Sequence, residues 1–288
     1  MIRVGTDCSG IDAPIEALRQ LGVPFEQLFA SDTNALCRET IRAHRTVRIY
    51  TDVMKRDHTE LIEPRLDLYV AGFPCQPYST AGRNKRESDP RYSVYESIVK
   101  TINTIRPRVC VLENVLPFAS LFDPSRFASY HAWVYKLNSA NLGSIQNRRR
   151  LYIILYSREY PFRVLPHLET IRIPRPDACE YVDFEDTRTE IRPPFSYKCT
   201  FPPGVVFVGF EYKGRHSGPC CTLLSGSRLW NFYMGRFVNG IEARRLMGFP
   251  DKYAIAGSPR QVLMQLGNSM ELCALKLVLK TALSIINV

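Results

Sequence analysis

The sequence predicts an α/β fold: a doubly wound mixed sheet with a second, small domain rich in loops and short β pieces. Three observations predict it. Apolar runs of strand length alternate with helix-period runs through the first half of the chain, the pattern of a βαβ architecture. Those runs stop on Gly, Pro or an acidic residue, as strands do where open α/β sheets place their ligand sites. After Ser157 the texture changes: prolines, glycines and β-prone pieces replace helical patterning, which returns at residue 236. The expected organisation is a main domain of residues 1–157 plus 236–288 around a small domain of residues 158–235.

Residues 2–7 read as the first strand, Cys8-Ser9-Gly10-Ile11-Asp12-Ala13-Pro14 as a turn, and the run to residue 21 as a helix. Pro14 suits a first helical turn and Glu16 complements the helix dipole. Such a turn offers backbone N–H groups to a ligand. Strand 27–31 ends on Asp32, and an acid about twenty residues past the turn suits ribose hydroxyls. Helix 34–44 and strand 47–51 follow, the latter ending at Asp52-Val53. Strand 66–71 breaks on Gly72 and leads into Pro74-Cys75-Gln76-Pro77. The prolines stiffen the start of this loop. A stiff thiol at a strand end suits a nucleophile, although a lone cysteine is more often a small hydrophobe.

Residues 81–91 are polar, and Arg83, Lys85, Arg86 and Arg91 suit a segment that meets phosphates. Helix 93–105 precedes strand 109–112, which ends at Glu113-Asn114-Val115. A carboxyl in so apolar a setting should have a raised pKa. Residues 127–137 are expected to be helical. Gln146-Asn147-Arg148-Arg149-Arg150 runs into strand 151–156, and strand alternation puts Arg148 and Arg150 on one face with Gln146. In the middle stretch, 205–210 is β-prone. Helix 236–247 stops at Gly248-Phe249-Pro250, and residues 271–286 form a final amphipathic helix.

The formal net charge of +10 suits a polyanionic partner, nucleic acid first of all. Nine cysteines without C-x-x-C pairs disfavour a disulfide framework or a zinc site and favour a reducing compartment, so no metal is expected. No apolar run of membrane-spanning length and no signal-peptide pattern is visible. The expectation is an intracellular protein with no membrane partner.

In chain order, G-F-P-C-Q-P-Y-S (72–79), E-N-V (113–115), Q-N-R-R-R (146–150), I-E-A-R-R-L-M-G-F-P (241–250) and Q-L-G-N-S-M (265–270) resemble the motifs of the DNA cytosine-C5 methyltransferases. The resemblance covers both ends of the chain but not its middle, where that family keeps its target-recognition domain. It implies a Rossmann-like class I methyltransferase fold, S-adenosylmethionine as methyl donor with S-adenosylhomocysteine as product, double-stranded DNA as partner, and action as a monomer. Catalytic roles fall to Cys75, Glu113, Arg148 and Arg150. Cysteine addition at C6 of a flipped-out cytosine would activate C5, with Glu113 at N3 and the exocyclic amine and the arginines at O2.

Cofactor contacts are implied for Asp7, Cys8, Ser9, Gly10 and Ile11 in the first turn, and for Asp32, Thr33, Asp52 and Val53 at the next strand ends. Gly72, Pro74, Val94, Asn268 and Ser269 complete that set. DNA contacts are implied for Gln76, Ser79, Arg83, Lys85, Arg86 and Arg91 near the thiol, and for Thr222, Leu223 and Arg228 in the middle. The chain departs from the family pattern at Cys8 (phenylalanine in the family), at Asp12 and Ala13 (glycines), at Ala81 (serine) and at Tyr92 (glycine). Three other readings stay open. A tRNA cytosine-C5 methyltransferase would carry Cys-Phe-Thr where Lys198-Cys199-Thr200-Phe201 stands. A NAD-dependent dehydrogenase would need G-x-G-x-x-G. A catalytically silent DNA-binding homologue would explain the altered turn.

Overall fold

The computed structural model describes residues 1–74, 92–189, 207–209, 220–226 and 229–287. Strands β1 (Ile2–Asp7), β2 (Phe25–Ser31), β3 (Arg48–Tyr50), β4 (Leu68–Ala71) and β5 (Val109–Asn114) run parallel. Strands β6 (Tyr130–Asn138) and β7 (Arg149–Ser157) join them antiparallel. The order is β3-β2-β1-β4-β5-β7-β6, so the chain winds outward from β1 in both directions. That reversal opens a crevice beyond the carboxyl ends of β1 and β4.

Both faces of the central strands are buried, which is why they read as continuous apolar runs. Val4, Leu68, Val70, Val109 and Val111 face one core with helices α1 (Ala13–Gln20) and α6 (Leu272–Ser284). Phe29, Tyr69, Ala71, Cys110 and Leu112 face the other, with Ile98 and Ile102 of α3 (Tyr92–Ile105). Helix α2 (Ala35–His44) starts on Asn34, whose side chain accepts from Leu36 N at 3.0 Å. Helices α4 (Gly240–Met247) and α5 (Pro259–Asn268) follow a second sheet. Residues Pro259–Ser284 are long and apolar enough to cross a membrane by length and composition, contrary to the sequence reading, but 67% of that apolar window is buried inside the fold.

The expected helix at 127–137 is a strand. A short 3-10 turn spans Pro124–Phe127, and β6 then pairs with β7 along its whole length, from Tyr130↔Ser157 to Asn138↔Arg149. Aromatic and β-branched residues suit this pleated position. Without β6, the long strand β7 would expose an unpaired edge. The expected helix at 236–247 begins late: β10 (Arg236–Phe237) comes first and the helix starts at Gly240. Asn239 and Glu242 form a capping box that sets this start.

Strands β8 (Phe207–Gly209), β9 (Leu229–Asn231) and β10 form an antiparallel sheet in the order β10-β9-β8. Leu165, Leu168, Tyr181, Val182, Phe207, Cys220, Leu223 and Leu229 belong to the same apolar cluster as α6. A buried polar knot ties this part to α4. Arg236 Nη1 donates to Glu242 Oε2 at 2.8 Å, Asn231 Nδ2 to Glu242 Oε1 at 2.7 Å, and the Asp183 N–H to the same oxygen at 3.1 Å.

Candidate active site

Strands β4 and β5 pair Ala71 with Leu112, which sets Gly72 and Glu113 side by side at the carboxyl edge of the sheet. A Cβ on Gly72 would stand 2.5 Å from Met270 Cε and 3.6 Å from Glu113 Oε2, so a side chain there would have to displace the Met270 methyl group. Asn114 points to the opposite face and donates from Nδ2 to the Phe73 carbonyl at 3.3 Å. The Phe73 ring packs on Tyr95 and Phe118, with centroids 5.1 and 5.0 Å away. The chain entering Pro74 is thus held by backbone and side chain alike. Cys75, Gln76, Ser79, Arg83, Lys85, Arg86, Arg91 and Arg228 lie outside the described residues, as do residues 205, 206 and 210 of the β-prone stretch 205–210.

The Glu113 side chain is 12% exposed and meets Arg150, Nε to Oε1, at 3.3 Å. Burial pushes the Glu113 pKa up, and the Arg150 and Arg148 guanidiniums oppose that shift. Tyr152 lies directly across the β5–β7 ladder from Glu113. Arg148 shares the face but is engaged differently. It is 2% exposed and donates to the carbonyls of Leu223 at 2.8 Å and Ser269 at 2.7 Å. Burial, with Arg150 adding to it, pushes the Arg148 pKa down to about 10.

The rest of that motif grips the 222–226 segment. Gln146 Nε2 donates to the Leu246 carbonyl at 3.0 Å, and Gln146 Oε1 accepts from Leu223 N at 2.8 Å. Thr222 Oγ1 donates to the Asn147 carbonyl at 2.5 Å. A Cβ on Gly267 would stand 2.3 Å from the Leu224 carbonyl carbon and 2.5 Å from Ser225 N. Sequence reasoning gave no role to Asn114, Gly267 or Met270. Each adjoins or sits within a motif it had singled out, which was the available signal.

The first turn is built on left-handed backbone: φ is 50° at Cys8, 55° at Gly10 and 65° at Asp12. Gly10 N donates to Asp32 Oδ2 and Asn34 N to Asp32 Oδ1, both at 2.8 Å. Burial raises the Asp32 pKa against those two N–H groups. Asp12 stands in αL conformation where the resemblance expects glycine, and Gln27 Nε2 satisfies its carboxylate at 3.1 Å. Ser9 Oγ donates to the Thr6 carbonyl at 3.0 Å, and the Ile11 carbonyl accepts from Tyr253 OH at 2.8 Å.

Asp52 accepts from Met54 N at 2.9 Å, Val53 is buried, and Thr33 and Asn268 are exposed. Ser269 is buried, and half-buried Val94 packs on the Phe73 core. Asp7 turns away from this edge and pairs with Arg56. A Cβ on Gly10 would meet no atom within 4 Å, so the turn borders open space. Asp32 and Asp52 at neighbouring strand ends offer carboxylate acceptors that fit the hydroxyls of a ribose and the amine of an adenine. Among the described residues, no group of three His, Cys, Asp or Glu is placed to hold a metal ion.

A cleft of about 1910 Å³ opens beside the 222–226 segment, between β10 and the start of α5. Arg188, Arg236, Arg244 and Arg260 line it with Asp183 and Asp186. Glu113 is not part of it.

The family model for C-5 cytosine-specific DNA methylases matches residues 7–193. Among curated proteins, the chain is 26% identical over 262 residues to type II methyltransferase M.NgoBI of Neisseria gonorrhoeae, covering 84% of this chain and 81% of the relative. It is 28% identical over 249 residues to type II methyltransferase M.HhaI of Haemophilus parahaemolyticus, covering 75% of each. Among solved structures, a methyltransferase of Entamoeba histolytica superposes with a TM-score of 0.74 at 15% identity, covering 100% of this chain and 99% of that one.

Proposed function

Because the chain belongs to the C-5 cytosine-specific DNA methylase family, and is an enzyme of that kind, we propose that it methylates C5 of a cytosine flipped out of double-stranded DNA through a transient Cys75–C6 bond. The observation that carries this reading is the Glu113–Arg150 pair, set against Gly72 three residues before Cys75. S-adenosylmethionine, when bound, supplies an electrophilic methyl group. The turn at Cys8, Ser9 and Gly10 would hold its methionine part together with Asn268 and Ser269. Asp32 would take the ribose and Asp52-Val53 the adenine edge.

Cytosine C5 is a weak nucleophile. The Cys75 thiolate adds to C6, and the ring electrons shift to C5. Glu113 donates to N3, so charge on the ring meets a fixed hydrogen bond in a site shielded from water. Arg150 faces O2 and holds the carboxyl in place. The C5–CH3 bond would form as the donor's S–CH3 bond breaks, releasing S-adenosylhomocysteine; a base or water would take the C5 proton as the C6–S bond breaks, and the Cys75 thiolate would be restored. Flipping the base costs a few kcal/mol. Phosphate contacts from Arg83, Lys85, Arg86 and Arg91 offset that cost. The Thr222-Leu223 segment and Arg228 would line the DNA side, and the arginine-lined cleft beside them would take the duplex. The two named relatives are type II methyltransferases, which supports a modification role.

The test is direct. Labelled S-adenosylmethionine is mixed with duplex DNA and, in parallel, with tRNA, using wild type and Cys75→Ser. Label should appear on C5 of cytosine in the duplex and vanish in the variant. Undiminished label in Cys75→Ser refutes the nucleophile, and label on tRNA alone refutes the substrate. Bisulfite sequencing of DNA from expressing cells then reads the site context.

A further inference from the structure

The carboxyl end of β1 carries a buried acid that the reaction above does not use. Asp7 is 1% exposed. It accepts from Ser31 Oγ at 2.6 Å, Tyr69 OH at 2.7 Å and Arg56 Nη1 at 2.7 Å, and Arg56 Nη2 closes a bidentate pair. Its donors come from β2, β4 and the loop after β3. Arg56 is equally enclosed. Its side chain is 2% exposed, its guanidinium carbon lies 4.9 Å from the Phe29 ring centre and 5.3 Å from that of Tyr50, and Nη2 donates to Thr101 Oγ1 at 3.2 Å. Removing two such charges from water is costly, and an apolar pair could fill the same space more cheaply. The pair therefore has a reason other than bulk stability.

The position supplies one. Asp7 runs directly into the Cys8–Gly10 turn, and Arg56 follows Asp52 and Val53 by a few residues. The ion pair therefore spans the two halves of the expected cofactor cradle. It does so in a chain with Cys8 where the resemblance expects an aromatic side chain to help shape that cradle. We infer that Arg56 is a positioning residue for the methyl donor: paired with Asp7, it holds the 8–10 turn and the 52–53 loop at the separation S-adenosylmethionine requires. Asp7 then acts through Arg56 and not by touching the cofactor, contrary to the sequence expectation. This inference rests on reading the crevice as an S-adenosylmethionine site.

The pair also reaches a titratable neighbour. Thr101 Oγ1, on α3, lies 2.9 Å from Nδ1 of His58, which is 5% exposed. Burial, followed by the Arg56 and Lys100 cations, holds the His58 pKa below its ordinary value, against the opposing pull of Asp7 and Asp57. A base depressed in the folded state contributes stability above its ordinary pKa and loses it as pH falls. Protonated His58 sets a second cation against the hydroxyl that Arg56 uses. Acidification should therefore loosen the cradle.

The experiment is calorimetric titration of S-adenosylhomocysteine into the full chain, between pH 8 and pH 5.5, for wild type, Arg56→Lys and His58→Gln. Thermal unfolding and affinity for duplex DNA without cofactor are measured alongside. Arg56→Lys should weaken the ligand at least tenfold while DNA affinity stays within twofold. Wild-type binding should weaken at least threefold on acidification, and His58→Gln should flatten that profile. Ligand affinity unchanged in Arg56→Lys, or a loss matched by equal losses in DNA affinity and Tm, overturns the inference. Should Arg56→Lys not fold, the profile decides: a wild-type response that persists in His58→Gln, or none at all, overturns it. A wild type that binds no S-adenosylhomocysteine at pH 8 refutes the cofactor reading itself, and this inference with it.

Discussion

Glu113 must carry a proton to donate to a ring nitrogen, and its surroundings pull that proton both ways. Burial favours the neutral acid, while Arg150 and Arg148 favour the carboxylate. The net shift is upward, so the protonated share persists above the ordinary carboxyl range and falls as pH rises through the raised pKa. Single-turnover methylation should accordingly decline along the alkaline limb. Glu113→Gln should be flat there and slower by about 100- to 1000-fold, the usual effect of losing one fixed donor to a developing charge. Its neighbours divide a different labour. Arg150 faces the carboxylate, whereas Arg148 is spent on the Leu223 and Ser269 carbonyls. Arg148→Met should therefore cost about 2–5 kcal/mol in urea unfolding, because two buried carbonyls lose their donor. Arg150→Met should act mainly on the rate, with a far smaller loss of stability.

Elements meet at this site through close backbone approach. Helix α5 can lie against residues 224–225 only because Gly267 has no Cβ. Gly267→Ala should overpack that contact at a cost of about 1–3 kcal/mol, and hydrogen exchange at 222–226 should rise before it rises in β1 or β5. Unchanged exchange there would mean that α5 does not hold the segment. Strand β6 shows the limit of local reading. Residues 127–137 read as helical, yet 130–138 form a strand, specified by nine partners on β7 and not by its own pattern. By contrast, β4 and the start of β5 are plain in the sequence, because burial on both faces leaves apolar runs there, Leu68–Ala71 and residues 109–112.

Across the whole molecule, the central sheet and the β8–β10 sheet share one apolar cluster, and a buried polar knot ties β9 and β10 to α4. Glu242 is fully buried and accepts from Arg236, Asn231 and the Asp183 backbone. Glu242→Ala leaves the Arg236 guanidinium buried beside fewer partners, and the expected cost is about 3–5 kcal/mol. Guanidinium unfolding followed at Trp230 of β9 and at Trp133 of β6 should then separate into two transitions. A single transition shifted as one would show that the two sheets unfold as a unit even without the knot.

The sequence by itself determined the strand–turn positions, the order of the motifs and the acids at the strand ends, because turns, breakers and apolar runs are written over a few neighbouring residues. Only the tertiary structure decided what those side chains bind. Arg148 meets carbonyls 75 and 121 residues away, and Asp7 meets Arg56 across 49 residues. Such pairings arise when separate strands and helices are brought together, and no local propensity encodes which buried donor finds which acceptor.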